Sequence, residues 1–315
     1  MMKRMATLDH FKARVGFENL KMKRATFNGK HIISPNQNEK VFWRYNLACK
    51  QMIYSSFHLT EENMLYYVES LNQFKPQAID GFFTSMCDLA SYIERHDIKI
   101  QFIPIAIFPT SETLTKSGRE LLERVFKCKV YDQYASSEGA PFVTECEKQV
   151  LHVELASGVF ECFNEDTDEV LVTSFTTHGT PLIRYRIGDS MHFDIKRTTC
   201  ECGIESPIVK GIHGRRLDFL YNAEGAKINA GNVANLFKNL SNALIRAQTI
   251  QNKMDEIIIL LEVDKRLYKP EYDQLLMDEF LHKFGRRTKI TIKHVSEIPR
   301  EKSGKFKMIK NNIAI

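Results

Sequence analysis

The sequence predicts an α/β protein, with a layered sheet-and-helix core followed by a small α+β unit at the C-terminal end. Three observations carry this reading. Apolar strand-like runs alternate with helix-like segments from about residue 60 to residue 130, the pattern of a sheet covered by helices. Past Glu138 the runs become short and β-like, and from Asp218 onward a helix–strand–helix–strand series fills a compact length of about a hundred residues.

The elements follow in order. "LTEENMLYYVESLNQF" reads as a helix with Thr60 as N-cap, Glu61 and Glu62 in its first turn and Met64, Leu65, Val68 and Leu71 on one face. "FTSMCDLASYIERH" is a second helix. "IQFIPIAIFPT" is almost wholly apolar, short and broken by Pro104, so it reads as a buried strand. "ETLTKSGRELLERVF" is a third helix, and the strand opening at Val130 follows it. "GVFECF", "DEVLVTSF" and "PLIRYRIGD" are strand-like runs divided by polar turns. In the smaller unit, "VANLFKNLSNAL" and "PEYDQLLMDEFLHKFG" read as helices, and "EIIILLEV" and "KITIKHV" as strands. The glycine-bearing "GIHGRRLDF" sets the expected boundary, giving domains 1–213 and 214–315.

Composition narrows the classes. With 315 residues, 43% hydrophobic and 26% charged, the chain has the make-up of a soluble globular protein with room for two domains. The net charge of +5 is spread out, without a like-charge block, which argues against nucleic acid and leaves room for an anionic ligand. No apolar run reaches the roughly eighteen residues of a membrane span. The opening "MMKRMATLDHFKARVGF" has neither the apolar core nor the cleavage site of a secretory signal, so the expected compartment is the cytoplasm. Seven cysteines, an odd and scattered set, suggest free thiols or metal ligands rather than disulfides.

Two groups of residues carry chemistry. The stretch "VYDQYASSEGAPFVTEC" begins as a buried strand and ends in an aromatic ring, two hydroxyls and a carboxylate. Open α/β sheets bind ligands where strands end, so this is the first place to look for a site. Separately, Cys146 and His152 in a C-x5-H pattern and Cys200 and Cys202 in C-x-C offer three thiolates and an imidazole, a donor set suited to tetrahedral zinc. The alternative for these four is ordinary buried cysteines and a surface histidine. Cys49, Cys87, Cys128 and Cys162 lie in apolar or mixed sequence and read as packing residues.

"YASSE" at 134–138, "PLIRYRIGD" at 181–189, "GRRLD" at 214–218 and "IPREKSGKFK" at 298–307 stand in the order and rough spacing of the core motifs of adenylate-forming enzymes. With "SFHLTEEN", "FKPQAIDG", "PTSETL", "TEC", "LHVE" and "CECG", the chain from about residue 40 resembles the phenylacetate-coenzyme A ligase branch, including its CapK-like members. The resemblance implies the partial large domain of such an enzyme with its small C-terminal lid. It also implies a carboxylate-activating ligase, forming an acyl-adenylate from ATP and a carboxylic acid and then an acyl thioester.

The same resemblance implies the residue roles. Tyr134 stacks on adenine, Ser137 contacts phosphate and Glu138 holds Mg²⁺, an oxygen ligand for a hard cation. Asp189 receives both ribose hydroxyls, as a carboxylate accepting two bonds can. Ser111 and Glu112 lie in the adenine-lining segment. Arg215 is the arginine at the domain junction, and Lys305 is the catalytic lysine that bridges carboxylate and α-phosphate oxygens as charge develops. Coenzyme A, a carrier-protein thiol or a sugar amine are the acceptors that fit the second half-reaction. The cysteines and histidine become a structural zinc clip, since branch members carry similar ones.

Departures from the branch are three. Ala135 stands where glycine is usual and Leu217 where an acidic residue is common. The Ser/Thr/Gly-rich loop that wraps the β- and γ-phosphates does not occur before residue 40. Three readings result: a ligase present as its central and C-terminal parts, with an upstream fragment supplying the loop; a non-catalytic AMP- or acyl-adenylate-binding remnant; and a zinc-stapled interaction module. "DGFFTSM" lies near the implied acyl pocket, where Phe82 and Phe83 suggest an aromatic or apolar acid or else belong to the core.

Overall fold

The computed structural model describes residues 2–29, 32–34, 39–164, 168–194, 199–215, 219–222, 227–237, 240, 243–301 and 304–313. The chain divides into two units, one of Met1–Ile93 with Asp97–Arg215, the other of Glu94–His96 with Arg216–Ile315. The expected Leu217 and Asp218 fall outside the described residues.

The first unit holds two sheets. Six strands, β1 (Arg24–Asn28), β2 (Trp43–Asn46), β3 (Gln51–Ser55), β4 (Ala78–Phe82), β5 (Ala106–Thr110) and β6 (Lys129–Val130), are ordered β2-β3-β1-β4-β5-β6. All pair in parallel except β2, which runs antiparallel along β3. Helices α2 (Met64–Phe74), α3 (Phe83–Arg95) and α4 (Lys116–Phe126) connect them. Side chains alternate across each strand. Ala25, Phe27, Ile79 and Ile107 face the core shared with these helices, while Ala78, Ala106 and Phe108 face Phe11 of helix α1 (Met2–Arg14).

Charges on the α1 side are matched rather than excluded. Asp80 of β4 accepts from Lys12 of α1 at 2.7 Å and from Thr26 at 2.5 Å, and Arg24 lies 3.3 Å away. Burial alone would raise the Asp80 pKa, yet the two cations and the hydrogen bonds hold it below the ordinary carboxylate value. Gly81, next in β4, has φ +129°, and a Cβ there would sit 1.8 Å from the Phe27 carbonyl oxygen. Only glycine lets β1 and β4 approach so closely.

The second sheet is antiparallel throughout. Its strands β7 (Gln133–Tyr134), β8 (Val143–Glu145), β9 (Leu151–Val153), β10 (Gly158–Asn164), β11 (Glu169–Ser174), β12 (Tyr185–Phe193) and β13 (Ile208–Arg215) are ordered β10-β11-β12-β13-β9-β8-β7. Val143, Val153, Val170, Val172 and Met191 form its core.

The second unit contains the hairpin of β14 (Phe219–Tyr221) with β15 (Lys227–Asn229) and a four-stranded sheet. That sheet is ordered β18-β17-β16-β19, from β16 (Leu244–Lys253), β17 (Glu256–Val263), β18 (Lys289–His294) and β19 (Ile309–Asn311). Helices α5 (Ala230–Asn235) and α6 (Glu271–Phe284) complete it, and Ile257, Ile259, Leu261, Leu276, Phe280 and Phe284 share one buried cluster. Acidic residues Glu271 and Asp273 open α6, while His282 and Lys283 close it, each sign placed to suit the helix dipole.

The α/β class and the layered architecture agree with the sequence reading, with local differences. The first expected helix begins at Met64, with Asn63 in the cap position, because residues 61–63 form turns that bond back to the Thr60 carbonyl. Thr60 is therefore not its N-cap. The apolar run from Ile100 is strand only over Ala106–Thr110, after the Pro104 interruption. The helix expected over "VANLFKNLSNAL" is the short α5, and Leu244 already belongs to β16. Among the described helices none is long and apolar enough to cross a membrane.

Candidate functional site

The strand expected to end at Tyr134 is two short strands in different sheets. β6 closes the parallel sheet and β7 opens the antiparallel one, so "YASSE" leaves at the junction of the two. Gln133 ties the junction by donating to the Pro109 carbonyl of β5 at 3.2 Å. The loop after β5, with Ser111 at φ +69°, thus starts near the loop after β7. Both lie at carboxyl ends of strands, where such folds place ligands.

Tyr134 and Asp189 meet here. The Tyr134 hydroxyl donates to Asp189 Oδ2 at 2.5 Å, and the tyrosine ring stands edge-on to Phe160 with centroids 6.0 Å apart. Asp189 lies in β12 with 9% of its surface exposed, directly opposite Arg215 of β13 in the strand register. Of Arg215 the structure describes the backbone. Gly188, one residue earlier, takes φ +81°, a conformation that favours glycine within the "YRIGD" strand.

Ser137 and Glu138 are exposed at the tip of the loop that follows Tyr134. Ser136 turns inward instead, and its Oγ accepts from the backbone N–H of Gly139 at 3.2 Å and of Ala140 at 3.0 Å. Gly139 has φ +100°, and a Cβ there would lie 2.3 Å from Thr177 Cγ2. Glu112 has a partner within the protein: it accepts from the Thr84 backbone N–H at 2.8 Å and from the Thr84 hydroxyl at 3.0 Å, at the start of α3. Its side chain thereby satisfies an otherwise open helix-end donor. Phe82 and Phe83 are buried, and Phe83 belongs to the core cluster. Lys305 belongs to the second unit and is exposed on a turn closed by the Glu301 N–H donating to its carbonyl at 2.9 Å.

Beneath β7 lies a group of acids that the sequence reading did not single out. Arg119 of α4 donates to Glu145 Oε1 at 2.5 Å and to Oε2 at 3.1 Å, and the same carboxylate accepts from the Asp132 backbone N–H at 2.8 Å. Burial raises the Glu145 pKa, opposed by Arg119. Asp132, two residues before Tyr134, is pushed up to about 7 by burial and then by Glu145.

The four expected metal ligands come together. Cys146 stands in the β8–β9 turn, His152 in β9 beside Ile208 of β13, and Cys200 and Cys202 in the loop between β12 and β13. Their ligand atoms all lie within 4.8 Å of one another, with Cys146 Sγ 3.8 Å from Cys200 Sγ and Cys202 Sγ 3.4 Å from His152 Nε2. Tetrahedral zinc with bonds of about 2.3 Å to sulfur and about 2.05 Å to nitrogen requires separations of about 3.8 and about 3.5 Å. The donor set and its spacing therefore fit that ion. Burial pushes the Cys146 thiol up to about 11 and lowers His152, against a smaller effect of the Ser206 backbone. Burial opposes ionisation of Cys200, but hydrogen bonds from the Cys202 backbone and from neighbouring thiols lower its pKa. Of the cysteines read as packing residues, Cys162, in the edge strand β10, is exposed; Cys49, Cys87 and Cys128 are partly covered.

Comparison with known proteins places this geometry in context. The profile of the family described as the CapK C-terminal domain matches residues 220–312. Among solved structures, 2-hydroxyisobutyryl-CoA ligase in the postadenylation state, in complex with R3-HIB-AMP, aligns with a TM-score of 0.73 at 14% identity, covering 97% of this chain and 68% of that one. The anthranilate CoA ligase AuaEII in complex with anthranoyl-AMP aligns with a TM-score of 0.61 at 14% identity, covering 94% and 61%. At such identities these alignments establish the fold, that of the adenylate-forming ligases. Protein CapK of Staphylococcus aureus is 38% identical over 315 residues, 99% of this chain and 70% of its own length. With that identity over that share of a relative, the chain belongs to the CapK family.

Proposed function

We propose that the protein acts as a carboxylate-activating ligase, handling an acyl-adenylate made from ATP and a carboxylic acid and passing the acyl group to a thiol. The observation that carries this reading is the nearly buried Asp189, tied to the Tyr134 hydroxyl and facing Arg215 across the strand pair. Such a carboxylate receives the ribose hydroxyls, charge-assisted and sheltered from water. Tyr134 presents its ring to adenine, and the backbone around Ser111 lines the base. Ser137 addresses the α-phosphate, and Glu138, an exposed carboxylate at the loop tip, would hold Mg²⁺. Magnesium supplies charge neutralisation at the phosphoryl oxygens.

Arg215 and Lys305 are the cations of the reaction. The carboxylate that attacks the α-phosphate meets like charge, and an ammonium bridging the two sets of oxygens stabilises the arrangement as the new bond forms. Pyrophosphate leaves, and a thiol then attacks the acyl carbonyl, releasing AMP. Coenzyme A is the acceptor proposed, supported by the ligases that share the fold. The cysteine–histidine group holds zinc as a structural clip, because all four donors belong to protein side chains and leave no open position in a tetrahedral site.

The test is calorimetry with AMP and with a non-hydrolysable acyl-adenylate analogue, beside thioester formation from preformed acyl-adenylate and coenzyme A. Wild-type protein is expected to bind both ligands, and Asp189→Ala to lose at least tenfold in affinity for each, since about 1.5–3 kcal/mol attends a hydrogen bond to a charged group. A folded wild-type sample that binds neither ligand refutes the reading.

A further inference from the structure

Arg4 is one of the best-connected cations of the first unit, and the chemistry above gives it no role. Its guanidinium donates to the Ala140 carbonyl at 2.8 Å, to the Ser136 carbonyl at 3.2 Å and to Thr176 Oγ1 at 3.4 Å, while its carbon lies 4.3 Å over the Phe142 ring. The two carbonyls bracket the segment 136–140, which is also closed by the Gly139 N–H donating to the Ser136 carbonyl at 3.3 Å and by Ser136 Oγ accepting from the Gly139 and Ala140 N–H groups. Ser137 and Glu138 project from the middle of that segment. A planar fork with several fixed donors can hold both ends of a short loop at once, which an ammonium does less well.

The rest of α1 anchors the clamp. Lys12 bonds to Asp80 in the parallel sheet, Phe11 packs edge-on against Phe108 with centroids 5.3 Å apart, and Arg14 bonds to Thr144 at 2.9 Å and to Glu154 in the antiparallel sheet. One helix thus grips both sheets and closes over the loop at their junction. Because Arg4 meets backbone carbonyls at both ends of the loop, it fixes the path of the chain.

We infer that Arg4 is a positioning residue, and that α1 serves as a strap holding the 136–140 loop so that Ser137 and Glu138 meet phosphate and magnesium in a preset geometry. This rests on the nucleotide reading above, and it divides that site into two parts. Tyr134 and Asp189 address the nucleoside, whereas the strapped loop addresses the phosphate. Preorganisation of this kind acts on the group the loop contacts and not on the whole ligand.

The experiment compares AMP with adenosine, each in the presence of Mg²⁺, by calorimetry on the full chain, for wild type, Arg4→Ala and Arg4→Lys, with Tyr54→Phe, which removes a buried hydroxyl contact with Ser70 of α2, as a destabilised variant outside the strap. Arg4→Ala is expected to weaken AMP at least tenfold and adenosine less than twofold, with Arg4→Lys in between. Tyr54→Phe is expected to lower the melting temperature while the ratio of AMP to adenosine affinity stays within twofold of wild type. In parallel, hydrogen exchange at the Gly139 and Ala140 amides is expected to rise at least tenfold in Arg4→Ala, with the Val143 amide unchanged. Equal losses for AMP and adenosine, or an unchanged ratio in Arg4→Ala, overturn the positioning role. Wild-type protein that binds neither ligand refutes the nucleotide reading instead; exchange then decides the strap alone, and unchanged rates at Gly139 and Ala140 overturn it.

Discussion

Replacing Cys200 and Cys202 together with serine removes two of the four clustered donors while nearly preserving volume. The donors of each close pair stand far apart in sequence, Cys146 and Cys200 by 54 positions and His152 and Cys202 by 50. A bound ion therefore closes a loop of some fifty residues. The chain-entropy estimate for a cross-link of that span is about 4 kcal/mol. For a unit of roughly two hundred residues this corresponds to a fall of about 8–16 °C in melting temperature. The single tryptophan, Trp43, lies in the same unit and reports its unfolding by fluorescence. Wild-type protein is expected to carry about one zinc per chain by metal analysis, as a structural site does. The double variant should carry none and melt lower by the stated amount. A strong chelator should bring wild type down to the variant and leave the variant where it was. A well-folded wild-type sample without zinc, or a melting temperature indifferent to both chelator and substitution, refutes the clip.

Three further outcomes are expected. Asp132, raised to about 7 from its ordinary 3.8, holds a proton in the folded state that the unfolded chain has released, so it lowers stability as pH rises from about 4 to about 7. Asp132→Asn should flatten that limb of a urea-denaturation pH profile and stabilise the protein at pH 8 by on the order of 1–3 kcal/mol; a profile parallel to wild type contradicts the assignment, with Glu145 and Arg119 as the charges that act on it. Gly81→Ala forces a Cβ to within 1.8 Å of the Phe27 carbonyl at φ +129° and should cost about 3 kcal/mol or more in urea unfolding; a loss under about 1 kcal/mol would show that β1 and β4 can separate cheaply. With a fragment bearing the phosphate-wrapping loop supplied, Lys305→Ala should slow acyl-adenylate formation at least about a hundredfold while leaving thioester formation from preformed acyl-adenylate within about threefold, and equal losses in the two half-reactions contradict the role proposed for it at the α-phosphate.

The layered fold class was readable because its signals are local. The periodicities of α3, α4 and α6, and the apolar run of β17, sit within ten or fifteen residues of sequence. The four metal-ligand candidates were also visible as residue types, although only the pairing of β9 with β13 brings the two cysteine groups together. What escaped is non-local. Helix α1 has few apolar positions, and its Arg4, Lys12 and Arg14 find their partners 68 to 172 residues later, beyond any window of periodicity. The acids beneath β7 were missed for the same cause: Asp132 and Glu145 look like ordinary turn and strand-end charges until the hairpin places them against Arg119. Thr60 misled because a good capping residue, followed by acids, here closes a turn one step before the helix.

The reach of α1 bears on how the chain is made. Arg4 is translated 172 residues ahead of Thr176, and at about 5–20 residues per second that interval is about 10–35 s. For most of it the parallel sheet can assemble on the α2–α4 side, while the partners of Arg4 at Ser136 and Ala140 and of Arg14 at Thr144 and Glu154 have yet to be made. Nascent chains stalled before residue 140 can therefore seat Phe11 on the parallel sheet but not close the Arg4 end of the helix, and docking of that end onto the second sheet is the later event in the folding of this unit.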